Sequence, residues 1–101
     1  MNTQEFDISL EQGHLRSKKL LMKKKVEYAT EGDRLIQFYK TASMQNCSPQ
    51  QALIGMAIKH FSSICDMASI PQDYSISQWR EKITDLRNYT HLLDALNEEM
   101  L

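Results

Sequence analysis

Glycine and proline are scarce in this chain of 101 residues, three of one and two of the other, and no stretch alternates apolar and polar positions with β-branched enrichment. Hairpin folds need such alternation and frequent turn residues, so a β-rich architecture is excluded. Cysteine is nearly absent too. Cys47 and Cys65 have seventeen residues between them, which gives neither a disulfide framework nor the four close-set ligands of structural zinc. No apolar run approaches the roughly 18 residues of a membrane span, and the opening "MNTQEFDISLEQ" is polar and acidic, without the apolar centre of a secretory signal. A cytoplasmic protein with no membrane partner is expected. The formal net charge is only −1, so no overall excess of either sign advertises nucleic acid as the main partner.

What is present is helical. With 42% hydrophobic and 25% charged residues, the chain suits one soluble domain, residues 1–101, that buries roughly 65% of its unfolded surface. Apolar spacing and cap signals predict an all-α fold of four helices near residues 8–29, 34–46, 49–69 and 76–99. "TEGD" would close the first and Asp33 would cap the second. Ser48, Pro49 and Gln51 form the strongest start signal, a capping box with proline at the first helical position, and Ser75 or Ser77 would cap the last helix. Short loops make this a compact four-helix bundle. Its second helix is short and its third apolar nearly all round, so completion by oligomerisation, as a homodimer or higher, is expected.

The third and fourth helices hold the candidate functional residues. In the third, Leu53, Met56, Ala57, His60, Phe61, Ile64, Met67 and Ala68 share one broad face, with Ile54, Ile58 and Cys65 widening it. Lys59, Ser63 and Asp66 line the remaining polar edge at i, i+4 and i+7. A solvated edge is the ordinary explanation of such a strip, and a hydrogen-bonded core histidine the ordinary explanation of His60. In the last helix, at about 100° per residue, Arg80, Thr84, Arg87, His91 and Glu98 mark the most polar side. Trp79, Ile83, Leu86, Thr90 and Leu93 mark the packed one. Glu81, Asp85 and Asn88 lie between, in a column that runs into Leu92. Two carboxylates one turn apart are tolerated when a cation, a metal or a polar ligand group sits between them.

Three blocks, "EYATEGDRLIQF", "GMAIKHFSSICDMA" and "WREKITDLRNYTHLLDAL", resemble segments of small, mostly uncharacterised helical proteins of phages and prophages. The likeness spans residues 27–96. The last block is also similar to the acidic helix of the all-α nucleoside triphosphate pyrophosphohydrolases, the MazG and dimeric dUTPase superfamily, whose E-E-x-G-D run binds magnesium. That resemblance implies a four-helix core completed by dimerisation. It also implies carboxylates holding Mg²⁺, or Mn²⁺ in its place, on a nucleotide while water attacks between the α- and β-phosphorus. Glu81 and Asp85 would then be the catalytic ligands, with Asp66, Glu27 or Asp33 completing the shell. Lys59, His60, Ser63, Asn88, Lys25 and Arg34 would contact the nucleotide. The sequence departs from the superfamily in two ways: Lys82 replaces the second glutamate of the pair, and the earlier helix has no E-x-x-E.

Three functions follow as expectations. One is a phage-type, Mg²⁺-dependent pyrophosphohydrolase acting in the host cytoplasm. Another is a non-catalytic protein that binds a nucleotide or a host protein, by sequestering a signalling nucleotide or interfering with host defence. The third, nucleic-acid contact through "RSKKLLMKKK", carries little weight, because that run lacks interleaved aromatics and a groove-reading motif.

Overall fold

The structure, a computed structural model, describes residues 1–28 and 33–101, with the backbone alone for residues 24–28. Among the described residues it is all-α and bundle-like: α1 (Thr3–Tyr28), α2 (Ile36–Gln45), α3 (Pro49–Ser69), a 3₁₀ turn (Pro71–Asp73) and α4 (Ile76–Met100). No described helix is long and apolar enough to cross a membrane.

Local chemistry sets the boundaries. α3 starts at the expected box: the Gln51 amide donates to Ser48 Oγ at 3.1 Å, and the Ser48 amide donates to Gln51 Oε1 at 3.0 Å. Ser75 and Gln78 repeat that exchange at the start of α4, which settles Ser75 over Ser77 as the cap. Pairs of this kind satisfy two amides that helical geometry leaves without carbonyls. Asn46 ends α2 in the left-handed region at φ 53°, a conformation asparagine tolerates better than most residues, and the Cys47 amide closes back on the Ala42 carbonyl at 3.0 Å.

Two boundaries differ from the sequence reading. α1 begins five residues earlier than expected, because Asn2 caps it: Asn2 Oδ1 accepts from the Glu5 amide at 2.8 Å. The second helix starts only at Ile36, with Leu35 at the cap position. Asp33 Oδ1 accepts from the Leu35 amide at 2.9 Å, a bond two residues on that builds a turn before the helix instead of capping it. The "TEGD" exit of the first helix falls largely on residues 29–32, outside the described residues.

The core lies where α2, α3 and α4 meet. Leu35, Phe38, Leu53 and Leu96 form its centre, bordered by Tyr39, Met56, Tyr89, Leu92, Leu93 and Ala95. The broad face of α3 divides here. Leu53 and Met67 are buried, whereas Phe61, Ala68, Ile54, Ile58 and Cys65 are exposed, because α2 and α4 cover only one side of the helix. Polar bonds close the ends. Gln50 Nε2 donates to Asn97 Oδ1 at 3.0 Å, Trp79 Nε1 donates to the Pro71 carbonyl at 3.2 Å, and the Tyr39 hydroxyl donates to Glu99 at 2.7 Å.

α1 stands apart from this core and packs on α4. At about 1.5 Å per residue its 26 residues span roughly 39 Å. The radius of gyration of 15.6 Å therefore exceeds the ~13 Å of a compact chain of this length.

Two measurements check this arrangement. Phe38→Ala should cost about 3–5 kcal/mol in urea unfolding, whereas Ile58→Ala on the open side of α3 should stay within about 0.5 kcal/mol. The hydrogen bond to Glu99, followed by desolvation, raises the Tyr39 phenol above its ordinary 10.0. The folded value is the higher one, so this contribution is whole below pH 10 and lost as pH climbs through the folded value. Glu99→Gln should move the Tyr39 titration, followed by ultraviolet absorbance, back toward 10.

Candidate functional site

α4 is covered from two sides, and the second side is the unexpected one. Thr84 and Asn88 are buried and Arg87 is half-buried, although sequence spacing assigned Thr84 and Arg87 to the most polar side. Ile83 and Thr90, assigned to the packed side, are exposed. α1 accounts for the difference, because it lies against the polar flank of α4 and turns that flank into an interface.

Gly13 shows how close the approach is. A Cβ at that position would fall on the Arg87 guanidinium, 3.0 Å from Cζ and 3.1 Å from Nη2 and closer still to Nη1. A mid-helix glycine costs about 1 kcal/mol relative to alanine; here it lets an arginine lie against the α1 backbone. The seam is polar, and its polarity is not internally satisfied. Arg16 Nε, Ser17 Oγ and both side-chain polar atoms of Asn88 are buried with no hydrogen-bond partner among the described residues. Each such atom costs on the order of 1–3 kcal/mol, and all four belong to this one seam.

Two openings flank it. The larger is a groove of about 1080 Å³ between α1, the turn before α2, and α4. Leu10, Leu21, Leu35, Leu92 and Ala95 supply apolar wall. His14, Lys18, Arg34, Arg87 and His91 bring basic groups to it, against the one carboxylate, Asp94, among the described residues that line it. Lys18, Arg34 and Arg87 form no ion pair with a carboxylate among the described residues. Ser17 and Asn88 also line the groove, and Asn88 is only 6% exposed. The smaller opening, about 340 Å³, is lined by Arg16, Leu20, Ser77, Arg80, Glu81 and Thr84.

The residues singled out from sequence are distributed over three places. Arg34 and Asn88 both line the large groove. Glu81 is exposed at the small opening, with Arg16 and Arg80 beside it. Asp85 faces α3, where its Oδ2 lies 3.7 Å from His60 Nδ1, the two side chains being 16% and 19% exposed. The His60 ring stacks at a tilt on Tyr89 with centroids 5.1 Å apart. Lys59 and Asp66 are exposed on α3, and Ser63 donates to the Lys59 carbonyl at 3.1 Å. The side chains of Lys25 and Glu27 lie outside the described residues. Among the described residues, no three histidine, cysteine, aspartate or glutamate side chains gather as metal ligands. Asp85 faces an imidazole, and Glu81 stands among arginines one turn away.

No family model, curated protein or solved structure matches the chain. The site therefore rests on its own geometry. Sequence reading missed His14, Ser17, Lys18, Arg87 and His91. The signal for Arg87 and His91 was their alignment on one side of α4, and that for His14 and Lys18 was their i, i+4 spacing. Both patterns also describe solvent-facing charge.

The unsatisfied amide yields a direct test. Asn88→Leu replaces it with an apolar group of similar size, so the protein alone should unfold at higher urea, gaining about 1–2 kcal/mol. A loss of stability would mean that the Asn88 amide is already bonded within the protein.

Proposed function

We propose that this chain binds a nucleotide in the groove between α1 and α4, without turning it over. The observation that carries the reading is the buried Asn88 amide, its donor and acceptor both unmatched among the described residues, in the wall of an apolar groove also lined by Lys18, Arg34 and Arg87, which form no ion pair among those residues. A purine or pyrimidine presents adjacent donors and acceptors on a flat apolar ring, which suits an amide set in an apolar wall. Phosphates supply the counter-charge for Lys18, Arg34 and Arg87, and guanidinium groups can hold them through paired hydrogen bonds. The resemblance to small phage proteins suggests the setting, capture of a signalling nucleotide or interference with host defence.

A second reading is the Mg²⁺-dependent pyrophosphohydrolase, favoured by one arrangement. Glu81 and Asp85 stand one turn apart on α4, and Asp85 is half-buried beside His60. The described residues add no further carboxylate to that pair.

One experiment separates the two. A panel of ribo- and deoxyribonucleoside triphosphates and cyclic dinucleotides is incubated with the protein and Mg²⁺ or Mn²⁺, then chromatographed for product and for depleted free ligand. The expected result is stoichiometric depletion with the ligand recovered intact. Arg34→Ala and Arg87→Ala should each weaken it by roughly tenfold or more, as loss of a charge-assisted contact does. Release of monophosphate and pyrophosphate, abolished by Asp85→Asn, would establish the enzyme instead. Full binding in the Arg34→Ala/Arg87→Ala double variant would remove the groove as the site.

A further inference from the structure

Among the described residues α1 packs on α4 alone, and its seat there is poor. Of residues 3–23, whose side chains are described, only Gly13 is buried, and among the apolar side chains only Leu20 and Leu21 are half-buried. Phe6, Ile8, Leu10, Leu15 and Met22 stay exposed. Neither a hydrogen bond nor an ion pair joins this stretch to another helix among the described residues. Against the two leucines stand Arg16 Nε, Ser17 Oγ and both polar atoms of the Asn88 side chain, buried and unmatched, which water would satisfy if α1 moved off. Docking hides little apolar area and strands several polar groups.

Charge adds to the imbalance. Lys18 belongs to the α1 wall of the groove, Arg34 and Arg87 to its other walls, and none forms an ion pair with a carboxylate among the described residues. Cations gathered round an empty cleft repel one another. A polyanion lodged among them reverses the sign of that interaction, because it attracts α1 and α4 at once.

We propose that α1 is a clasp: with the groove empty it opens reversibly from α4, and a polyanion held between Lys18 on one wall and Arg34 and Arg87 on the others draws it closed. Leu10, His14, Ser17, Lys18, Leu21 and Met22 form the α1 wall of the groove, so the complete site exists only while α1 is docked. Affinity is then reduced by the fraction of time α1 spends open, and any group that steadies α1 raises it. The closing step rests on the reading of the groove as a phosphate site. The opening step depends on no ligand.

Amide hydrogen exchange, followed residue by residue by NMR on the intact chain, tests both steps. A helix released from its partner opens readily in water, so its amides lose their protection. Without ligand, the amides of residues 13–21, away from both ends of α1, should exchange at least about a hundredfold faster than those of Leu53 and Leu96 once intrinsic rates are divided out. Inorganic tripolyphosphate at saturation should slow the α1 amides about tenfold relative to sodium chloride of equal ionic strength. Lys18→Glu should slow them a few-fold in the free protein, because it turns a repulsion into an attraction, and should abolish the response to tripolyphosphate. Exchange of residues 13–21 as slow as that of Leu53 and Leu96 overturns the clasp. Fast exchange that tripolyphosphate slows no more than sodium chloride does, or a response that survives Lys18→Glu, overturns closure by an anion held at Lys18. A response to tripolyphosphate with no nucleotide depleted upholds the clasp and removes the nucleotide reading, so the two fail separately.

Discussion

The position of α4 between two unlike neighbours governs this molecule. On one side Leu96 closes against Phe38 and Leu53, an apolar contact that gains stability in proportion to the area it hides from water. On the other, Thr84, Arg87 and Asn88 meet α1 through Gly13 and Ser17, where little apolar area is gained and several polar atoms lack partners. The first contact holds the fold together. The second is affordable only because the first exists.

That division of labour separates stability from the candidate site. α2, α3 and α4 share the dense core, while α1 is attached along a polar seam and reaches past the body of the domain. A seam of this kind is where local opening requires the least free energy. It is also where a ligand gains most, since each donor or acceptor it satisfies was already stripped of water by folding. Asn88 and Ser17 thus carry a cost in the free protein that a polar ligand can recover.

The outer face of α3 poses the opposite problem, apolar surface with no cover. Its exposed isoleucines and phenylalanine lie away from the groove. Two surfaces of opposite character thus lie on different helices.

Much of the fold was legible because helix boundaries are local. Ser48 with Gln51 and Ser75 with Gln78 satisfy amides three residues away, so their effect is written in consecutive letters. Asn2 uses the same chemistry and was missed only because the apolar periodicity begins later. The apolar content of α3 was equally plain, but not which half of it is covered, since periodicity reports that a residue is apolar and not what lies opposite. The site was less visible still. Thr84, Arg87 and His91 align as any solvated flank would, and only the path of α1 across α4 makes an interface of them. Sequence by itself determined four helices and where α3 and α4 begin, because capping and spacing act within one turn. Tertiary structure alone decided that part of a polar flank is covered, that Asn88 lacks hydrogen-bond partners among the described residues and that Arg34 lines the same groove, because these depend on residues distant in the chain meeting in space.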